Sequence, residues 1–284
     1  MNQLMKYTTF IVLLCALSAC GEAEVLQELE EVTTSNDTTV KRFTYDSEGL
    51  EIEGYLVRPE VDEAEELPVL IYNRGGNRNF GAINHQTIND LRFWAVQGYV
   101  VLASQYRGAG GSEGSDQFGG DDLSDVLWLQ DVAEELSYAD TSRMVMIGYS
   151  RGGMMTYLAA KEGMDLKAAA VIGAPADLFQ GHEESGPRMK GILEELVGDP
   201  EEDAEAYEAR SAVHWPEEIG VPTLILHGEE DQEVNVLQSE RLYAMLDSMH
   251  EMIIYPEADH GLSGYRDEYR EEVLDWFERH LEKE

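Results

Sequence analysis

In Met144-Val145-Met146-Ile147-Gly148-Tyr149-Ser150-Arg151-Gly152-Gly153 an apolar run enters Gly-x-Ser-x-Gly, and a helical pattern follows from Met154 to Lys161. A serine at the apex of such a strand-to-helix turn is held in a strained backbone conformation with its hydroxyl clear of the sheet. The helix behind it points its N-terminal N–H groups at the same place. Gly148 and Gly152 suit the turn, because neighbouring backbone crowds both positions. The chemistry this permits is attack by Ser150 Oγ on an acyl carbon. A serine hydroxyl needs a base for that, and the base needs a group that orients it.

The partners of a serine in this setting follow it in the order acid, then histidine. Val221 to Leu226 is a second apolar run, closed by His227-Gly228-Glu229-Glu230-Asp231. Met252 to Tyr255 is a third, leading into Glu257-Ala258-Asp259-His260-Gly261. Both segments follow the C-terminal ends of expected strands, the edge where open parallel sheets hold ligands. The triad reading is Ser150, Asp231 and His260, with Glu229, Glu230 and Glu233 competing with Asp231 for the acid. Of the other histidines, His227 reads as a packed turn residue and His250 and His280 as solvated element ends. His182 and His214 fall in an expected insertion.

His227-Gly228-x-x-Asp231-x-x-Val234, the Gly-Tyr-Ser-Arg-Gly-Gly elbow and Asp259-His260-Gly261 resemble the catalytic domain of prolyl oligopeptidase-type serine peptidases. Tyr106-Arg107-Gly108-Ala109-Gly110-Gly111-Ser112 is similar to that family's Arg-Gly-x-Gly-Gly loop, and Phe118 to Val126 to the segment after it. The resemblance covers about residues 43 to 283. It implies an α/β-hydrolase fold: a mostly parallel central sheet with helices on both faces and a small cap insertion. It also implies peptide-bond hydrolysis through an acyl-enzyme, without cofactor or metal, and by position in its motif it selects Asp231 as the acid. Two backbone N–H groups would form the oxyanion hole, one from Arg151 after the nucleophile and one from Gly76. The family pattern at the second donor is His-Gly-Gly, and this chain has Arg74-Gly75-Gly76. Arg151 stands where the family often carries an aromatic residue. A cation there could receive a substrate carboxylate, favour the oxyanion, or bridge to a nearby acid. Tyr149 and Arg151 are therefore the candidate substrate contacts.

The resemblance is less specific for peptidase over esterase. The 284 residues leave no room for the large N-terminal propeller of the oligopeptidases, which favours a carboxylesterase or deacylase acting on small esters as the alternative. A non-catalytic surface binding lipoprotein is the alternative from another class, though a binder has no need of a whole triad. The glycine-rich loop from Arg107 to Gly120 is not read as a phosphate cradle. Glu113 stands where the dinucleotide pattern needs glycine, and no Gly-Lys-Ser/Thr occurs.

Lys6 and the apolar stretch Phe10 to Leu17 read as an export signal over residues 1–19, too short to span a bilayer. Leu17-Ser18-Ala19-Cys20 looks like a bacterial lipobox, so Cys20 is expected to carry a lipid anchor that holds an exported protein in the bacterial envelope. Residues 20–39 read as an acidic tether and 40–284 as the catalytic domain, with 176–218 the cap. The net charge of −37 argues against a nucleic-acid partner and leaves a small peptide or ester as the expected one. The oligomeric state has no signature. Strands are predicted over 42–45, 50–58, 69–72, 99–104, 143–148, 168–173, 222–227 and 251–255. Helices are predicted near 84–97, 121–136, 151–162, 235–249 and 264–282. This alternation implies a parallel sheet covered on both faces.

Overall fold

The computed structural model describes residues 25–34, 37–60 and 66–282; the expected leader and Cys20 lie outside them. Three antiparallel strands come first: β1 (Leu26–Thr34), β2 (Thr38–Ser47) and β3 (Leu50–Pro59). They are followed by β4 (Leu67–Asn73), β5 (Val100–Ser104), β6 (Ala139–Tyr149), β7 (Ala168–Ile172), β8 (Thr223–Gly228) and β9 (Glu251–Tyr255). The described strands form one nine-stranded sheet in the order β1-β2-β3-β5-β4-β6-β7-β8-β9. β3 meets β5 antiparallel, and from β5 to β9 every pairing is parallel.

The middle of each central strand is an apolar run because both its faces are covered. Val69, Ile71, Met144 and Met146 face one core, with α2 (Ser124–Leu127), α3 (Leu129–Glu134) and α4 (Arg151–Lys161). Leu70, Tyr72, Val145 and Ile147 face the other, with α1 (His85–Val96) and α9 (Arg266–Leu281). After β7 the alternation stops. Residues 176–218 carry α5 (Leu178–Glu184), α6 (Pro187–Leu196) and α7 (Ala204–Ala209), and β8 resumes the sheet. The last crossover helix is α8 (Val236–Tyr243).

Three expectations need correction. The tether read over 20–39 does not hold for its second half, because residues 26–34 are β1. Val32-Thr33-Thr34 suits a strand, β2 would otherwise expose its edge groups, and Leu26 packs on the core. The helix expected over 121–136 is broken into a 3-10 turn at Asp121–Leu123 followed by α2 and α3. Asp122 and Asp125 are fully buried there and held by arginines, so ion pairing sets this backbone where helical periodicity would have run on. The helix expected to reach 249 ends at Tyr243, with tight turns through Leu246 and Asp247 accepting from Met249 N–H.

The glycines separate two kinds of position. A Cβ on Gly152 would overlap the carbonyl of Asn73, which is backbone and cannot give way. One on Gly191 in α6 would meet nothing within 4 Å. Gly152→Ala should lower the unfolding free energy by at least roughly 1–3 kcal/mol. Gly191→Ala should leave it unchanged or raise it by up to about 1 kcal/mol. Denaturant unfolding of both variants checks the contrast.

Candidate active site

Ser150 sits between β6 and α4 with φ +53° and ψ −125°, a conformation L-residues rarely adopt and one that costs about 1–3 kcal/mol. Its surroundings hold it there. Gly148 and Gly152 are so close that a Cβ on the first would overlap the carbonyl of the second. Gly153 lies equally close to Ala174. Ser150 N–H donates to Ile172 O (2.8 Å), and its own carbonyl accepts Gly153 N–H (2.8 Å). Behind the turn, Asn73 Nδ2 donates to Thr156 Oγ1 (3.1 Å), whose hydroxyl donates to Gly152 O (2.9 Å). The side chain itself stays partly exposed.

The acid and the histidine arrive on two loops fastened together. Glu229 N–H donates to Tyr255 O and Glu230 N–H to Ala258 O, both 2.9 Å. Gly228 is where they press, since a Cβ there would overlap the carbonyls of Ala258 and Asp259. Asp231 Oδ2 thereby lies 2.7 Å from His260 Nδ1. The His260 ring rests against Gly173, whose Cβ would stand 3.0 Å from Nδ1. Gly173 directly follows Ile172, whose carbonyl takes Ser150 N–H, so Ser150 and His260 both have a neighbour at the end of β7. Among the described residues Ser150 Oγ has no hydrogen bond.

Asp231 Oδ1 accepts the N–H groups of Glu233 (2.8 Å) and Val234 (2.9 Å). Its Oδ2 accepts from His260 and lies 3.0 Å from His227 Nε2, which also faces Val234 O at 2.9 Å. Burial opposes the charge on Asp231. Hydrogen bonds from His227 and His260, the His260 charge and the Val234 N–H outweigh it and hold the carboxyl well below the usual range. The competing acids are turned elsewhere: Glu229 Oε2 accepts Glu257 N–H, and Glu230 and Glu233 are exposed. His227 is packed as expected. Its contact with Asp231 was not foreseen, although its place four residues before the acid was the available signal.

The loop after β4 folds over the elbow. A Cβ on Gly75 would be 3.1 Å from Ser150 Cβ. Gly76 has φ +77° with no room for a side chain beside Phe80 O. Among the described residues neither Gly76 N–H nor Arg151 N–H is bonded to another backbone group. Arg74 does not reach into the cleft. It is buried, with Nε and Nη2 on Gln105 O (3.0 and 2.6 Å), Nη1 on Gly75 O (3.0 Å) and Nη2 on Arg78 O (3.0 Å). Burial without a bonded carboxylate lowers its pKa to about 10.

Arg151 as a substrate contact has to be corrected: only 1 % of its side chain is exposed. Nη1 pairs with Asp116 Oδ2 (2.7 Å) and donates to Gly76 O (3.2 Å), and Nη2 pairs with Asp122. Its guanidinium lies over the rings of Tyr106 and Phe118, 5.2 and 5.0 Å from their centroids. Burial pulls its pKa down, and the charges of Asp122 and Asp116 more than restore it. The guanidinium of Arg107 is spent on Asp125 (2.8 Å) and Glu48 (3.1 Å). Tyr149 is half-buried between Tyr72 and Tyr269, 5.2 and 6.5 Å away by ring centroid. Among the described residues no three His, Cys, Asp or Glu side chains converge on a metal position.

Residues 85–284 match the prolyl oligopeptidase family, Peptidase_S9. The chain belongs to that family. It is 31% identical over 211 residues to the "Uncharacterized peptidase YtmA" of Bacillus subtilis (strain 168), covering 74% of this chain and 80% of that one. The acylaminoacyl peptidase of Pyrococcus horikoshii superposes with a TM-score of 0.75 at 22% identity, over 87% of this chain but 42% of that chain. The acetyl xylan esterase from Paenibacillus sp. R4 superposes with a TM-score of 0.71 at 19% identity, over 90% of this chain and 88% of that chain. The fold is thus of the α/β-hydrolase type, and the family member is a hydrolase of the serine-peptidase kind.

The Asp231 carboxyl has a pH signature. Folding lowers its pKa, so its ionised form stabilises the fold fully above the ordinary carboxyl range, and that contribution is lost as the pH falls. The difference in unfolding free energy between wild type and Asp231→Asn should therefore narrow as the pH is taken from about 6 to about 3. Denaturant titrations at several pH values check it; a constant difference would contradict the lowered pKa.

Proposed function

We propose that this chain cleaves a peptide bond through an acyl-enzyme, with Ser150 as nucleophile, His260 as general base and acid, and Asp231 as the group that orients and charges His260. The observation that carries the reading is the 2.7 Å contact of His260 Nδ1 with a buried, ionised Asp231, at the same sheet edge as a serine held at positive φ. With Nδ1–H donated to Asp231, the lone pair of Nε2 is free to take the Ser150 proton as Oγ bonds to the carbonyl carbon. The negative charge then developing on the carbonyl oxygen is received by the N–H groups of Arg151 and Gly76. Donors of this kind are worth about 3–4 kcal/mol each elsewhere. The imidazolium returns its proton to the leaving amine, and a water activated by the same base releases the acyl group. Tyr149 is the side chain we assign to contact substrate beside the nucleophile.

Ester hydrolysis is the second reading. It is favoured by one observation: the acetyl xylan esterase from Paenibacillus sp. R4 shares the fold over 88% of its length. The 176–218 segment is the part we assign to substrate selection. Glu195 of α6 pairs with Arg78 on the oxyanion loop (2.7 Å). Arg210, just after α7, donates to Phe118 O (3.0 Å) and Gln117 O (3.1 Å). These contacts support a cap beside the cleft that supplies no member of the triad. From the sequence alone we also propose an acylated Cys20 that anchors the exported chain to a bacterial membrane; palmitate labelling that survives Cys20→Ala would reject this.

Ser150→Ala should keep its melting behaviour, because alanine takes the same turn with a smaller side chain. Its kcat should fall roughly 10⁴-fold or more on any substrate the wild type cleaves. A variant with a tenth of wild-type kcat would remove Ser150 from the mechanism. Peptide anilides compared with p-nitrophenyl esters separate the two substrate classes. A folded variant with a shortened 186–200 segment should lose kcat/KM on a long substrate while retaining it on p-nitrophenyl acetate, which needs only triad and oxyanion hole. Equal losses on both would make the segment part of the core.

A further inference from the structure

His227 lies at the end of β8 with its side chain fully buried and both ring nitrogens bonded. Nε2 faces two acceptors, Val234 O at 2.9 Å and Asp231 Oδ2 at 3.0 Å. A carbonyl and a carboxylate both require a proton between, so Nε2 carries it. Nδ1 is then the lone-pair side, 2.8 Å from Ser239 Oγ, and the Ser239 hydroxyl donates to it. The tautomer is thus fixed by three partners on two elements, the turn after β8 and helix α8. The charged and titratable groups around the ring are Asp231 from its own turn and, through that carboxylate, His260 from the loop after β9. Helix α8 presents only the neutral hydroxyl.

We propose that His227 is a positioning residue of the triad, a second imidazole that shares Asp231 Oδ2 with His260 and fixes the direction in which that oxygen addresses the base. The inference rests on the triad reading above. Two backbone N–H groups on Oδ1 locate the carboxylate but leave rotation about the line joining them to it. A second imidazole N–H within 3.0 Å of Oδ2, shared with Val234 O, limits that freedom. It also satisfies a lone pair that burial would otherwise leave without a partner, which is the costly condition for a buried charge. His227 touches neither substrate nor Ser150, so its effect is exerted through Asp231 and should appear in kcat and spare KM.

The test uses the whole protein and the best substrate from the ester and anilide comparison. His227→Leu removes the Nε2 donor. His227→Gln restores an N–H near the same place, because the glutamine amide reaches as far as Nε2. Ser239→Ala keeps the imidazole and deletes only the donor to Nδ1, so it stays informative where the leucine variant does not fold. His227→Leu should lose about tenfold or more in kcat with KM within about twofold, one lost hydrogen bond to a charged group being of that size. His227→Gln should recover most of the loss, and Ser239→Ala should show a smaller loss, again in kcat. Independently of any variant, ¹⁵N imidazole spectra of wild type at pH 8 should show His227 as the Nε2–H tautomer. Unchanged kcat in folded His227→Leu, a loss that glutamine does not relieve, or the Nδ1–H tautomer would each overturn the positioning role. A wild type that turns over neither ester nor anilide would instead overturn the hydrolase reading on which it rests.

Discussion

The positive-φ turn at Ser150 is the constraint on which the rest of the site depends. A strained residue persists only where its surroundings over-determine it, and here they do so from three sides. Asn73 at the end of β4, Ile172 at the end of β7 and Gly152 in the first turn of α4 all press on the same few atoms. Each belongs to a strand beside β6 or to the helix that leaves it. The parallel order β4-β6-β7 is therefore what makes the elbow possible. The same ordering puts the loops after β8 and β9, which carry Asp231 and His260, next in line at the same edge of the sheet.

A second layer lies behind the elbow and is made of charge. Arg151 gives its N–H to the cleft, while its side chain turns inward, binds Asp116 and Asp122, and holds Gly76 O. One residue thereby ties the two proposed oxyanion donors together. Arg74 and Arg151 lie over the same Tyr106 ring, 4.7 and 5.2 Å from its centroid. Buried ion pairs of this kind add little net stability compared with apolar packing, but removing one partner is expensive because the other is left charged and dry. Such a network makes the loop's position stiff. Preorganised donors need that stiffness, since an oxyanion hole acts by not having to move.

Much of this was legible in the sequence, and the reasons differ by residue. Ser150, Asp231 and His260 stood out because turn chemistry restricts residue type: only glycine fits at 148, 152 and 228. The strands from β4 to β8 were legible because burial on both faces leaves long apolar runs such as Val69 to Tyr72 and Met144 to Ile147. A bridge from Arg151 to a nearby acid was among the readings, but its partners and the roles of Arg74 and His227 were hidden, since a side chain's partner across the fold leaves no periodicity. Asp116 and Asp122 are two acids among 57, and nothing local distinguishes them from solvated ones. The break in the 121–136 helix was hidden for the same reason, because its cause is an arginine 29 residues away from Asp122. β1 was missed because glutamates dominate it, and an edge strand with one solvated face tolerates them.

The central claim is that Ser150 is the activated nucleophile of a Ser150-His260-Asp231 relay. It is tested most directly by treating the folded protein with a fluorophosphonate and locating the adduct by peptide mass spectrometry. One equivalent of phosphonate should be found on Ser150, and labelling should slow sharply in Asp231→Asn, where His260 loses its charged partner. A folded wild type that takes up no label, or carries it on another residue while Ser150 stays free, would contradict the account.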